Sequence, residues 1–103
     1  MSQPAQPTAQ PSQTQAQLVL PTDKTLQQAT KLSLKTKKPI CFYFYIDSLK
    51  GKIKIVCDGE DRLVYKSDDE YTSPILNTYK SDNSYIVVTE NTIYILSSET
   101  PVA

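Results

Sequence analysis

Apolar and polar positions alternate with a period of two along most of the second half of the chain, which predicts β-strands. The clearest case is YIVVTENTIYIL, where two apolar runs flank Glu90-Asn91 and predict a hairpin with a two-residue turn. Asn91 tolerates a left-handed conformation at its turn position. The alternation puts four aliphatic residues on one face: Ile86, Val88, Ile93 and Ile95. The other face is apolar as well, which is expected of a closed barrel or of a sheet with a covered back.

A second hairpin is predicted within KKPICFYFYIDSLKGKIKIVCDG, residues 37–59. Residues 40–46 alternate as a strand, and matching its apolar face to that of the next strand puts Ile46 opposite Ile53. Tyr43 and Tyr45 then share the other face. The same register predicts contacts of the tyrosine face with two lysines and an ion pair at its end: Tyr45 with Lys54, and Asp47 with Lys52. Cys41 falls on the tyrosine face and Cys57 on the core face.

The remaining elements are two further strands and a helix. Residues 62–66 and 75–80 predict strands, joined by an acidic loop at 66–74 and followed by a turn at 81–83. Upstream, Thr25 has a glutamine three residues later, the spacing of a helix capping box, and Pro39 prevents continuation. The prediction is a short helix over residues 24–36.

The predicted fold class is therefore α+β or mainly β. A short N-terminal helix precedes a small five-stranded antiparallel sheet or an SH3-like or Sm-like barrel. Residues 1–22 contain six Gln and four Pro and no charge, so a disordered tail is expected there. Residues 23–98 form the single domain, and 99–103 a C-terminal tail.

Charge is distributed unevenly along the 103 residues, although 11 basic and 11 acidic side chains balance overall. Eight lysines and two acids precede Ile55, whereas nine acids and three basic residues follow from that position. Pairing of strands from the two halves would neutralise the charges. Alternatively, a bipolar surface would orient the protein within an assembly.

Residue content argues against catalysis and cofactors. The chain has no histidine, two glycines and two cysteines, so it lacks the usual base near neutral pH, a phosphate-binding loop and the ligands for a zinc site. We expect no enzyme activity, no cofactor and no metal. No apolar run is long enough to span a membrane, and the N-terminus lacks the features of a secretory signal. An intracellular, reducing location is therefore expected, with Cys41 and Cys57 as thiols.

Two kinds of binding function remain. Protein–protein contact is favoured by the tyrosine content and by the apolar residues of the tail. Its candidate residues are Leu18, Val19, Leu20, Tyr43 and Tyr45. Nucleic-acid binding is the alternative, since tyrosines beside a basic stripe can stack on bases. Its candidates are Lys35, Lys37, Lys38, Lys52 and Lys54. A single arginine and nine carboxylates in the other half argue against it.

Two stretches of the sequence resemble a known group of proteins. KSDDEYTSPILNTYKSDNSYIVVTENTIYILSS, together with KKPICFYFYIDSLKGKIKIV, resembles small β-rich proteins of the nucleocytoplasmic large DNA viruses. The likeness covers about residues 26–98 and lies in a strand followed by the acidic EYTSP turn and the ENTIYIL hairpin. It implies a minor capsid or other virion-associated protein that binds neighbouring virion proteins through its surface and tail. It implies no catalytic residue.

Overall fold

A computed structural model describes residues 19–102 as two helices and seven strands. The helices are α1 (Asp23–Thr36) and α2 (Tyr45–Leu49). The strands are β1 (Ile40–Cys41), β2 (Lys54–Asp58), β3 (Asp61–Ser67), β4 (Glu70–Tyr71), β5 (Ile75–Ser81), β6 (Ser84–Thr89) and β7 (Ile93–Ser97). Neither helix is long and apolar enough to cross a membrane.

The strands form two sheets. Sheet A has four strands in the order β1-β7-β6-β5; β1 runs parallel to β7, and the other neighbours are antiparallel. Sheet B has three antiparallel strands in the order β2-β3-β4. Beyond the last strand, Ile55 of β2 bonds to the carbonyl of Pro101 at 2.9 Å and pairs with Val102. Of the residues predicted as a C-terminal tail, Pro101 and Val102 therefore lie beside β2.

Sheet A is the middle of three layers, with helices on one face and sheet B on the other. Alternating side chains of β6 and β7 enter different cores, because successive residues of a strand point to opposite faces. The helix-side core contains Ala29, Tyr45, Ile86, Val88, Ile93 and Ile95. The core between the sheets contains Phe44, Ile53, Ile55, Val64, Val87 and Leu96.

The predicted fold class is confirmed at the level of a mainly β chain with an N-terminal helix. The predicted closed barrel and five-stranded sheet are wrong, because residues 19–102 divide their strands between sheets of four and three. The alternative, a sheet with a covered back, is what the β6–β7 hairpin adopts. Its predicted register is also confirmed, since Ile86 lies opposite Ile95 and Val88 opposite Ile93.

The β6–β7 turn closes differently from the prediction. Asn91 does not adopt a left-handed conformation; among the described non-glycine residues only Lys37 and Asp82 do. Instead, the Thr89 hydroxyl donates to the Thr92 carbonyl at 2.8 Å and accepts from the Thr92 N–H at 3.2 Å. The Thr89 side chain thus hydrogen-bonds both backbone groups of Thr92, and the turn closes without a left-handed residue.

The predicted strand at 40–46 is wrong beyond Cys41. Residues 45–49 form α2, so the predicted hairpin between Ile46 and Ile53 does not exist, and β2 pairs with β3 instead. The helical turn directs two adjacent aromatic rings into the two cores, leaving Phe44 5% and Tyr45 3% exposed. Burial of both rings, one on each side of sheet A, outweighs the strand preference of the local sequence.

Helix α1 confirms the predicted helix within one residue, but its cap is different. The Thr22 hydroxyl accepts from the Thr25 N–H at 3.2 Å, so Thr22 is the N-cap. Thr25 is buried, and its hydroxyl donates to the Ser81 carbonyl at 2.9 Å. Lys37 ends the helix with φ 61°, and its N–H bonds to the Ser33 carbonyl at 2.8 Å.

The strands predicted at 62–66 and 75–80 are confirmed as β3 and β5. The loop predicted at 66–74 contains the short strand β4, which pairs with β3. Two left-handed residues close the neighbouring turns: Gly59 with φ 66° between β2 and β3, and Asp82 with φ 52° between β5 and β6.

Candidate interaction surfaces

The apolar tail residues lead into α1 on the helix side of the molecule. Leu18 lies outside the described residues, whereas Val19 and Leu20 are 46% and 68% exposed. The Tyr45 hydroxyl donates to the Val19 carbonyl at 2.5 Å. The backbone at Val19 is therefore tied to the domain, while the Leu20 side chain stays accessible to a partner.

Tyr43 and Tyr45 do not share a face, so the predicted tyrosine face is wrong. Tyr45 belongs to the helix-side core, and burial raises the pKa of its phenol. Tyr43 is 59% exposed, with Phe42 and Ile46 at 45% and 41% beside it in the sequence. Only Tyr43 of the predicted pair is available at the surface.

A polar cluster holds Tyr43 between α2 and sheet B. Its hydroxyl donates to Glu70, which raises the pKa of the phenol, and Lys66 Nζ lies 5.7 Å from its ring centroid. Lys66 also pairs with Asp47 at 2.8 Å and with Glu70 at 3.5 Å. The predicted pairing of Asp47 with Lys52 is wrong, because Lys66 takes that place. The Lys66 hydrogen bond lowers the pKa of the Asp47 carboxyl.

The candidate lysines do not form one stripe. Lys35, Lys37 and Lys38 lie at the end of α1, and the Lys38 ammonium donates to the Thr89 carbonyl at 2.7 Å. The other two, Lys52 and Lys54, belong to sheet B or the segment that enters it, on the far side of sheet A. One nucleic-acid strand would have to cross the edge of the molecule to reach both groups.

The second lysine group lies beside a tyrosine. Lys54 Nζ lies 5.6 Å from the ring centroid of Tyr65, within cation–π range. Lys52, Lys54 and Lys66 line a shallow cavity of about 310 Å³, together with Tyr65 and Pro101. Lys66 is already engaged by two carboxylates there. Two lysines remain to attract an anion.

The outer face of sheet B carries an apolar groove that sequence reasoning missed. Its volume is about 260 Å³. We call it the sheet-B groove, and its lining residues are Val56, Cys57, Asp58, Leu63, Tyr65 and Tyr71. Cross-strand pairing puts Val56 opposite Leu63 and Tyr65 opposite Tyr71, on the face away from sheet A. Tyr71 is 58% exposed, and Leu63, at 8%, is the most deeply buried member.

One end of this groove is acidic, and the other end has an acidic residue beside Lys54. Asp58 and Asp61 face each other across the β2–β3 turn, with the exposed Glu60 between them. At the other end Asp68 accepts a hydrogen bond from the Tyr65 hydroxyl at 2.5 Å. Like charges directly opposite each other destabilise a strand pair, so the Asp58–Asp61 pairing favours a cationic group nearby.

The two cysteines lie apart. Cys41 is half-buried in β1, while Cys57 is exposed on β2 beside the sheet-B groove. Cys57 alternates with Val56 and so shares the strand face of Ile55, as predicted, but it is exposed and does not belong to the core. The part of β2 that contributes to the core between the sheets ends at Ile55.

Sequence reasoning missed the sheet-B groove because its face depends on the pairing of three strands. The predicted partner of β2 was the segment that became α2, which concealed the match of Val56 with Leu63. A signal was nevertheless present: Leu63, Tyr65 and Tyr71 are large apolar residues that a three-stranded arrangement brings together.

The described residues contain no cluster of three or more His, Cys, Asp or Glu side chains able to hold a metal ion. Comparison with known proteins gave no match to a family model, to a curated protein or to a solved structure. Surface geometry is therefore the basis on which a function can be argued.

Proposed function

We propose that this chain is a non-enzymatic interaction protein that binds a neighbouring protein through the sheet-B groove. The observation that carries the proposal is an apolar, aromatic groove on a sheet face that is open to solvent within residues 19–102. Tyrosine and other large apolar side chains are favoured at protein interfaces because they bury much area at little entropic cost. Tyr71 supplies such a side chain at the rim.

Charge around the groove defines the partner further. Asp58, Glu60 and Asp61 lie at the end formed by the β2–β3 turn, whereas the end at Tyr65 has Lys54 as well as Asp68 and Asp69. A partner segment with apolar residues and a lysine or arginine beside the β2–β3 turn would fill the groove and neutralise the acidic end. The proposed partner is therefore an apolar protein segment with a basic residue at one end.

A photoreactive amino acid at position 71, in the cell that produces this protein, tests the proposal. We expect crosslinks to protein, identified by mass spectrometry, and none from the same group at the exposed Asn91 position, at the far end of sheet A. The absence of protein crosslinks at position 71, or crosslinks to nucleic acid alone, would contradict it.

Matched tyrosine substitutions separate binding from folding. Tyr71 and Tyr79 are both exposed, at 58% and 44%, but Tyr79 lies on β5 away from the groove. Tyr71→Ser is expected to leave the Tm nearly unchanged and to abolish the crosslinks of a probe at position 63 or 65, whereas Tyr79→Ser is expected to preserve them. Equal loss from both variants would overturn the assignment to the groove.

The setting we propose for this contact is an assembly, namely a virion in which the chain is a minor capsid or associated component. The support is the resemblance of residues 26–98 to small proteins of large DNA viruses, and the surface exposure of Leu20 and Tyr43. The location we propose before assembly is the intracellular, reducing one expected from the sequence. The measurement that tests this setting is the copy number of the chain in purified particles, relative to the major capsid protein. The proposal expects the chain to be present. Absence from particles would overturn the virion role and leave the groove proposal intact.

A second function, binding of single-stranded nucleic acid, is favoured by one feature. Lys52 and Lys54 line the same shallow cavity as the Tyr65 ring. Size-exclusion chromatography with single-stranded DNA tests it, using the Lys52→Glu/Lys54→Glu variant as control. A shift in elution that disappears as salt rises, and that the variant lacks, would favour this function over the protein contact.

A further inference from the structure

The edge strand β5 is the longest uncovered strand edge in the described part of the chain. It has seven residues and pairs with β6 on one side, and no strand within residues 19–102 pairs with its other side. The strands β1 and β4, which also end their sheets, have two residues each. The outer side of β2 is partly taken by the bond from Ile55 to Pro101 and the pairing with Val102.

Most of this edge lacks the features by which proteins protect edge strands. Such features are charges, prolines, bulges and short length. The β5–β6 register shifts between Ile75 and Asn77, so one irregularity lies at the start of the strand. Residues 76–80, Leu-Asn-Thr-Tyr-Lys, contain one charge and no proline. Leu76 and Tyr79 are 54% and 44% exposed on it.

We propose that a second copy of this chain covers the edge, with the two β5 strands pairing antiparallel about a two-fold axis at Thr78. The pair would join two four-stranded sheets into one of eight strands. This inference does not rest on the sheet-B groove and concerns a different surface. It assigns β5 as a homodimer interface.

Self-complementarity of residues 76–80 supports this occupant. Pairing centred on Thr78 puts Thr78 opposite its own copy, Asn77 opposite Tyr79, and Leu76 opposite Lys80. Threonine pairs are favourable across strands, and a lysine stem covers an apolar neighbour. Lys80, the only charged residue of the strand, does not lie opposite the Lys80 of the second copy, as it would in a pairing centred on Lys80.

The faces of sheet A agree with this register. Asn77 lies opposite Val88 and Tyr79 opposite Ile86, and both of those β6 residues belong to the helix-side core. Asn77 and Tyr79 therefore face the helix side in both copies. Beside them a cavity of about 290 Å³ separates α1 from β5, lined by Leu32 and Gln28 among others. The Tyr79 rings of the two copies would lie near the axis and cover the open sides of their cavities.

The size of the domain adds a reason for dimerisation. A domain of about 80 residues buries a smaller fraction of its surface than a large one and is marginally stable alone. Extending sheet A across a two-fold axis satisfies backbone groups at the exposed edge and buries two large apolar side chains per copy. A closed two-fold arrangement also uses up the edge, so further growth of the sheet stops.

The test is the mass of the full-length protein by sedimentation velocity from about 1 to 300 μM, with charge variants at the axis. We expect wild type to approach twice the 11.6 kDa of one chain at high concentration. Thr78→Lys and Thr78→Glu each put like charges directly opposite each other, at about 5 Å between Cβ atoms, and are each expected to weaken the dimer at least tenfold. An equimolar mixture of the two is expected to restore it as a heterodimer.

Control variants make every outcome decisive. Thr78 is exposed, so circular dichroism of both charge variants is expected to match wild type, and Thr78→Ser is expected to dimerise normally. A wild-type chain that stays monomeric to 300 μM overturns the inference. So does a dimer that both charge variants retain, or one that Tyr71→Ser abolishes and Thr78→Lys does not.

Discussion

The β6–β7 and β2–β3 hairpins differ both in the charge of their strands and in their surroundings: β6 and β7 contain no charged residue, whereas β2 and β3 contain five. The β6–β7 hairpin lies in the middle of sheet A, where α1 and α2 cover one face and sheet B covers the other, so most of its residues are buried. The β2–β3 hairpin has one covered face and one that faces solvent. Lys54, Asp58, Asp61 and Arg62 of β2 and β3 are exposed, so the residue types on each hairpin agree with the number of layers that cover it.

The comparison also separates stability from binding. Residues buried on both sides of the β6–β7 hairpin are needed to hold three layers together, and their truncation leaves cavities. Residues on the outer face of β2 and β3 contribute less to the fold and are available to a partner. Paired substitutions of the same type, one in the layers around the β6–β7 hairpin and one in sheet B, test this difference.

The largest difference is expected between Val87→Ala and Val56→Ala. Val87 is 0% exposed in β6, so its truncation is expected to lower the free energy of unfolding by roughly 2–3 kcal/mol. Val56 is half-buried on the outer face of β2, and the same change is expected to cost less than about 1 kcal/mol. Urea unfolding measures both. Equal losses would mean that the outer face of sheet B is as important to the fold as the centre of sheet A.

Ser48→Ala and Ser67→Ala compare two hydroxyls. The buried Ser48 Oγ accepts from the Ser97 N–H at the end of β7, at 2.9 Å, so its removal leaves a buried donor unpaired and is expected to cost about 1–2 kcal/mol. The Ser67 Oγ accepts from the exposed Asp69 N–H at 3.3 Å, which water can satisfy instead. Thermal unfolding of the two variants should differ by several degrees. A larger loss of stability from Ser67→Ala would mean that the exposed hydroxyl of sheet B matters more to the fold than the buried hydroxyl of Ser48.

Tyr45→Phe and Tyr65→Phe each remove one phenolic hydroxyl. Tyr45 donates to the Val19 carbonyl from a buried ring, so its loss is expected to cost about 1 kcal/mol and to free the backbone at Val19. Tyr65 donates to the exposed Asp68, and its loss is expected to leave the Tm unchanged. Proteolysis at residues near Val19 checks the first effect: faster cleavage in Tyr45→Phe alone is expected. Unchanged cleavage would show that the hydroxyl does not hold this segment.

A small effect is expected from Asp47→Asn, which removes the ion pair between α2 and β3. The pKa of Asp47 is lowered from 3.8, so its contribution is fully present above that value and is lost as pH falls through the lowered pKa. The raised pKa of Lys66 means that its contribution is present below 10.5 and is lost only as pH rises through the raised value. We expect a fall in Tm of about 1–3 °C at pH 7 that vanishes in strong acid and shrinks in 1 M salt. A difference that persists at pH 2 would assign the effect to packing of the side chain.

The strands β5, β6 and β7 and the helix α1 could be predicted from sequence because their signals are local. Period-two alternation, a two-residue turn and a proline stop each lie within a few residues of the element they define. The register of β6 and β7 followed because only one alignment joins the aliphatic residues of both strands. These elements required no knowledge of distant partners.

The segment around α2 could not be predicted in this way. Residues 40–46 alternate well enough for a strand, yet Phe44 and Tyr45 must enter two cores on opposite sides of sheet A. The two cores exist only once the three layers are assembled, so the local sequence pattern does not indicate that the two rings enter different cores. The error passed to the candidate site, because a wrong partner for β2 concealed the sheet-B groove and put Tyr43 and Tyr45 on one face.

The two ends of the described chain leave the domain on opposite sides. Val19 is bonded to Tyr45 in the helix-side layer, and Val102 pairs with Ile55 in sheet B. A molecule that contacts the exposed Leu20 would therefore lie on the opposite side of sheet A from one in the sheet-B groove, and the domain would separate the two. Binding at both ends would also raise the effective concentration of the second partner once the first is attached. A label attached at Leu20 would lie away from the sheet-B groove, whereas one attached at Val102 would lie beside β2.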